Sequence, residues 1–251
     1  MDAKRTLDTL ASGTGLLLLS PLMGGVALAI WFHDRGTPVY SAQRCGLGGT
    51  EFTMYKFRTM VLNADTIGAS STGNRDPRIT TVGRIIRATK IDELPQLINV
   101  MRGDMSLEGP RPNIGWEVAS YSQEERGLLA VRPGITDLAS IVFADEGSIL
   151  SHHEDPDLAY EQLIRPWKSR LGLVYARNAS VSLNLRIIAL TLLNSVNRPK
   201  ALAQVRSLLR SLRADPSVIR VATRDEPLMP SAPPGHPTII SVVPSTQGRP
   251  L

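Results

Sequence analysis

The chain has 251 residues but one cysteine, Cys45, and only 5% aromatic side chains. A single thiol closes no internal disulfide and supplies no multi-cysteine metal site, which suits a reducing compartment. Scarce aromatics argue against a single-stranded nucleic-acid platform, where bases stack on rings. Charge is missing altogether from Thr9 to Phe32, a run of 24 residues, and no internal repeat is present. What is abundant is apolar: 42% of residues are hydrophobic, enough to exclude disorder over most of the length, while 20% charged residues exclude a multi-span membrane protein. The length suits one large domain or two small ones. A net charge of +5 and a pI near 9.6 imply affinity for anions, whether nucleic acid, anionic lipid or phosphorylated small molecules.

The uncharged N-terminal run is long enough to cross a bilayer, and its Leu, Ile, Val and Phe each favour insertion by about 0.3 to 0.6 kcal/mol. Its interior, however, holds Ser20-Pro21 and several glycines. A proline removes one helical hydrogen bond, so a kinked, re-entrant helix is expected as readily as a straight span. Lys4 and Arg5 precede the run while His33 and Arg35 follow it. Cations at both ends suit an element with both ends in the cytoplasm. A cleaved signal peptide with an Ala27-Leu28-Ala29 site and a plain bitopic anchor are the alternatives.

Val39 to Arg44 and Glu51 to Thr59 flank a glycine-rich connection and read as a β-hairpin, in which alternation puts Lys56 and Arg58 on one face. From Met54 to Lys90 seven cations oppose two carboxylates, a surplus equal to that of the entire chain. Arg84, Arg87 and Lys90 recur at three-residue spacing, along one face of a helix. Asp92-Glu93-Leu94-Pro95-Gln96 follows. Proline is tolerated only in a first helical turn, which predicts a helix starting near Lys90 to Leu94 with Thr89 as N-cap. The carboxylates would then sit at the positive end of a helix dipole, where adjacent acids need a cation or arginines to remain ionised together. Mg²⁺ suits such a pair, because it accepts one or two carboxylates plus substrate phosphates. Downstream, Pro110 and Pro112 flank Arg111 and would fix its backbone for anion binding. Arg132-Pro133-Gly134 is a second such turn.

Together Tyr55-Lys56-Phe57-Arg58-Thr59-Met60, Asp76-Pro77-Arg78-Ile79-Thr80, Val82-Gly83-Arg84 with Arg87, Asp92-Glu93-Leu94-Pro95-Gln96-Leu97-Ile98-Asn99-Val100, Gly103-Asp104-Met105-Ser106 and Gly109-Pro110-Arg111-Pro112 resemble, in content and order, the bacterial sugar transferase family, the monotopic polyprenyl-phosphate phosphoglycosyl transferases. Ser20-Pro21 resembles that family's membrane-helix break. The resemblance covers about three-quarters of the chain, from Lys4 to Ser195. It implies an α+β, mostly helical fold: a re-entrant membrane helix over residues 1–36 and a cytoplasmic catalytic domain over 37–198 containing the hairpin and interfacial amphipathic helices. It further implies transfer of a sugar 1-phosphate from a nucleoside diphosphate sugar, usually a UDP-sugar, to a polyprenyl phosphate such as undecaprenyl phosphate. That reaction starts a surface glycan at the inner face of the bacterial plasma membrane. Asp92 is implied as nucleophile and Glu93 as its partner, the two holding Mg²⁺, with Lys56, Arg58, Arg84, Arg87 and Arg111 on the phosphates. A lipid bilayer is the implied surface, nucleic acid is not a partner, and a homodimer is compatible. Two positions depart from the family pattern: Glu108, expected to add an anion beside Arg111, and Asp137, where glycine is common.

Beyond Pro133 the sequence predicts helices over Asp155 to Asn178 and Leu183 to Leu193, a surface turn at His152-His153, and a basic amphipathic helix over 199–214 suited either to anionic lipid or to packing on the protein surface. The proline-rich stretch 215–251 is predicted to be a disordered tail. The rival class is a non-catalytic basic protein on membranes or nucleic acid, which leaves Asp92-Glu93 among arginines without a purpose.

Overall fold

In the computed structural model, which describes residues 3–67 and 71–242, one long helix, α1 (Ala3–Asp34), leads the chain. It runs through Pro21 without ending, so the expected break is not seen there. Proline leaves the carbonyl four residues earlier without a donor, and the Ser20 hydroxyl donates to that Leu17 carbonyl at 2.8 Å. The serine thus repairs the bond that its neighbour removes. By length and composition α1 is apolar enough to cross a membrane, and Leu17, Leu18, Leu28 and Phe32 stand exposed on it.

Both ends of α1 are nevertheless fastened to the rest of the fold. At its start, Lys4 Nζ donates to the Glu108 carbonyl (3.0 Å) and to Tyr175 Oη (2.8 Å), and Arg5 caps the carbonyls of Val100 and Met101. The buried Asp8 carboxylate accepts from Ser106 Oγ and Leu107 N, both at 3.1 Å. At its end, Asp34 takes a bidentate bond from Arg58, with both contacts at 2.6 Å. Between them, Met23, Val26 and Ile30 pack with Phe57 and Ile86.

The hairpin forms as expected from β1 (Val39–Cys45) and β2 (Glu51–Phe57), antiparallel with Tyr40 opposite Lys56. Helix α2 (Thr81–Ala88) is capped by the Thr80 hydroxyl, which accepts from Gly83 N. A Cβ on Gly83 would lie 1.9 Å from the Thr59 carbonyl oxygen; only glycine lets α2 approach the strand end this closely. Gly83→Ala is expected to cost about 1–3 kcal/mol by overpacking against rigid backbone, read as a lowered midpoint in thermal melting.

Helix α3 (Gln96–Arg102) follows, then β3 (Ser106–Glu108), α4 (Gly115–Ala119) and β4 (Gly134–Thr136). Strands β3 and β4 pair in parallel, and Gly134 N donates to the Pro110 carbonyl at 3.0 Å. The two proline-rich turns therefore brace each other backbone to backbone: a Cβ on Gly134 would meet Gly109 N at 2.1 Å. Asp137 caps α5 (Leu138–Val142) in a capping box with Ser140. Short helices α6 (Glu146–Leu150) and α7 (Pro156–Ala159) lead through a π-turn at Tyr160–Ile164 into α8 (Arg165–Asn178).

The main core joins α5 and α8 to α9 (Val181–Val196), α10 (Arg198–Ser211) and α11 (Pro216–Thr223). Of the two readings of the 199–214 segment the packed one holds: Leu202, Val205 and Leu209 are buried in this core. One expectation changes. Residues 215–242 are not a disordered tail. Val218 and Ala222 of α11 join the core, and the following chain is held by Ser231 N to the Gln162 carbonyl, Arg170 to the Ala232 carbonyl and Ser122 Oγ to the Pro234 carbonyl. Prolines spare such a segment the need for backbone partners, so composition suggests disorder where packing supplies order. Residues 243–251 of the predicted tail lie outside the described residues. His152 and His153 are exposed in a turn, as expected.

Candidate active site

The acidic pair does not open an α-helix capped by Thr89. Thr89 ends α2, Lys90 turns the chain with a positive φ of 58°, and Ile91–Glu93 form one 3₁₀ turn ahead of α3. A non-glycine residue in the left-handed region is rare enough that propensity does not foresee it. Asn99 positions this turn against the hairpin: its Nδ2 donates to the Thr53 carbonyl at 2.7 Å and its Oδ1 accepts from Tyr55 N at 3.0 Å. A side-chain amide here imitates the neighbouring strand that β2 lacks.

The result brings Lys56, Glu93 and Arg111 together. Arg111 holds Glu93 in a fork, Nη1 to Oε2 at 2.9 Å and Nη2 to Oε1 at 2.7 Å, and also donates to the Ile135 carbonyl at 2.8 Å. Lys56 Nζ lies 3.5 Å from Glu93 Oε1. Burial works to raise Glu93, but the Arg111 and Lys56 charges outweigh it and hold the carboxyl well below the usual range. Asp92 behaves oppositely: burial, then the neighbouring Glu93 charge, pushes it above its ordinary value against the pull of Lys56 and Arg87. Adjacent carboxylates whose surroundings drive them apart have different tasks: Glu93 is a fixed, compensated anion and Asp92 the more basic group. Asp92 is only 8% exposed, and its Oδ1 has no partner among the described residues. Gln96, four residues on, is fully buried with both amide atoms equally unpartnered. Buried polar atoms without partners are uncommon enough to mark a place where something else binds.

The remaining cations separate. Arg87 is half-buried, 3.5 Å from Thr59 Oγ1, and its charge reaches Asp92. Arg84 is exposed on α2. Arg58 does not share the site with Lys56 despite their alternation; it lies past the end of β2, buried and bonded to Asp34 and the Thr37 carbonyl. Glu108 does not crowd Arg111, because it faces Lys4, 3.8 Å away. Sequence reasoning missed Arg44, which the hairpin register puts on the Lys56 face, where its charge acts on both Lys56 and Arg111. That register was the available signal. Asn99 and Gln96 stand in the quoted motif, but nothing in their spacing announced their roles.

No cluster of three or more His, Cys, Asp or Glu able to hold a metal exists among the described residues. Both Glu93 oxygens are committed to Arg111, whereas Asp92 Oδ1 is free to accept a cation. The donor set fits Mg²⁺ as that ion is usually held, by one carboxylate and the oxygens of a bound phosphate.

A buried carboxylate with one unpartnered oxygen thus lies beside a second one compensated by Arg111 and Lys56, next to an apolar helix. The chain belongs to the bacterial sugar transferase family, whose model matches residues 1–198. It is 43% identical over 141 residues to the UDP-glucose:undecaprenyl-phosphate glucose-1-phosphate transferase of Caulobacter vibrioides, covering 55% of this chain and 53% of that one. It is 40% identical over 153 residues to the undecaprenyl-phosphate galactose phosphotransferase of Salmonella typhimurium, covering 54% and 31%. The exopolysaccharide production protein ExoY of Rhizobium meliloti is 38% identical over 154 residues, covering 55% and 68%. The match thus spans about a third to a half of the first two relatives.

Proposed function

We propose that this protein transfers a sugar 1-phosphate from a UDP-sugar to undecaprenyl phosphate or a similar polyprenyl phosphate, starting a surface glycan such as an exopolysaccharide. The observation that carries this reading is Asp92: buried, raised in basicity, and with a free oxygen beside a pre-neutralised Glu93. An Asp92 oxygen forms a bond to the β-phosphorus while the bond from that phosphorus to the bridging oxygen breaks, and its electron pair leaves on UMP. A phosphate oxygen of the polyprenyl acceptor then attacks the aspartyl phosphosugar and returns Asp92 as carboxylate. Positioning and charge neutralisation dominate such chemistry, and Lys56, Arg87 and Arg111 supply both. Asp92 and the donor's diphosphate would hold Mg²⁺, which would supply neutralisation of phosphate charge. Glu93 keeps Arg111 oriented.

The membrane role rests on α1. A helix of 32 residues is roughly 48 Å long at 1.5 Å per residue, yet both its ends are bonded to one folded unit. This favours a helix lying in or dipping into the cytoplasmic leaflet of the plasma membrane over one that crosses it, with Leu17, Leu18 and Leu28 toward lipid.

UMP release across a panel of UDP-sugars, with detergent-solubilised full chain and polyprenyl phosphate, tests the reading. One sugar should give UMP and a lipid-linked product, and chelation by EDTA should stop both. No UMP from any donor would overturn the function, and full activity in EDTA would remove the metal.

A pH dependence follows from Lys56. Burial, with the Arg111 charge, lowers its ammonium to about 8 despite Glu93 and Asp92. Its phosphate-binding charge is present below that value and lost above it. Donor kcat/KM should therefore fall as pH rises through about 8, and Lys56→Arg should move this limb upward. For stability the sign is opposite: the strained ammonium costs folding energy below pH 8, and that cost fades between about 8 and the ordinary lysine value.

A further inference from the structure

A shallow cleft open to solvent has Arg111 in its wall. Asn113, Tyr121, Tyr160, Arg165 and Lys168 line it with Arg111, whereas Asp92, Glu93 and Lys56 do not. Its other cations are already neutralised: Lys168 pairs with Glu146 at 2.5 Å, and Arg165 with Glu161 at 2.6 Å and Glu125 at 3.1 Å. A phosphate gains little there, but a neutral ring does. The half-buried Tyr160 and the edge of the buried Tyr121 supply aromatic surface, with Lys168 and Arg165 stacked over the two rings. Asn113 Nδ2 is spent on Glu117 (2.9 Å) and Tyr121 Oη (2.7 Å), which leaves Oδ1 as an acceptor without a partner among the described residues. The wall carrying Tyr160 is the π-turn, a local widening often found at functional sites.

We propose that this cleft receives the nucleoside half of the donor, its base against Tyr160 and Tyr121 and an imide N–H facing Asn113 Oδ1. The inference rests on the function proposed above. In-line displacement requires the leaving nucleotide to depart on the side of phosphorus opposite the attacking Asp92, and Arg111, which is bonded to Glu93, also lines the cleft. The sugar phosphate then remains on the Asp92 side.

Full-length protein in detergent, with UMP as probe, tests the proposal. Tyr160→Leu should weaken UMP binding and raise donor KM by about ten-fold each, with kcat at saturating donor within about three-fold. Tyr160→Phe should stay near wild type. Unchanged UMP affinity in Tyr160→Leu overturns the proposal, as does a raised donor KM with UMP affinity intact, which would place the sugar here instead. Should the leucine variant fail to fold, photocrosslinking of wild-type protein with 5-iodouridine 5′-monophosphate decides: UMP-competed adducts on Tyr160 or Tyr121 support the cleft, and adducts confined elsewhere refute it. Wild-type protein that cleaves UDP-sugars but shows no binding here disproves the subsite alone, whereas no UMP release from any donor disproves the function itself.

Discussion

Asp92→Asn is expected to abolish UMP release and lipid-linked product together, by about 10⁴-fold or more, as loss of a covalent nucleophile typically does. Retained UMP release with lost product would reassign the nucleophile. Stability should move the other way. A carboxyl raised by burial contributes least once ionised, so folding stability falls as pH climbs through its raised value, and ionised Asp92 is a cost. The neutral amide removes that cost. Thermal melting should show a midpoint equal to or above wild type, a pattern of function held at the expense of stability. A lowered midpoint would mean that the loss of activity reflects damage to the fold.

Arg111→Ala should do harm on both counts. Glu93 would be left largely buried with Lys56 alone, at 3.5 Å; stranding one partner of a buried pair costs several kcal/mol, here on the order of 2–4 because Arg111 keeps 27% exposure. Glu93 is held below the usual range, so its contribution to stability exists above the ordinary glutamate value and disappears on acidification. The variant's stability deficit should accordingly shrink as pH is lowered. Arg111→Lys separates the roles: it keeps a charge but loses the fork, and about 100-fold of activity should go with it while the fold persists. Melting curves from pH 4 to 8 beside UMP-release rates would check both variants. Equal activity in Arg111→Lys would show that point charge alone suffices.

Much of this site is legible in the sequence because its parts are local. Glycines between alternating strands announce the hairpin that carries Lys56, two prolines announce a fixed Arg111, and adjacent acids amid cations announce the centre. What escapes is what depends on distant partners. Arg58 reads as a companion of Lys56, yet its carboxylate lies 24 residues back in α1. Glu108 reads as a disturbance at Arg111, yet it faces a lysine 104 residues away. The three-residue strands β3 and β4 are too short for any periodicity. Helices α10 and α11 pose a related problem: an amphipathic pattern states that one face is covered without saying whether lipid or protein covers it.

The double fastening of α1 also sets a measure. If α1 rests in a membrane as proposed, the height of Asp92 above the acyl chains is built into the fold rather than left to a flexible tether. The enzyme would then gauge how deep an acceptor's headgroup sits and remain indifferent to how long a tail lies beneath it.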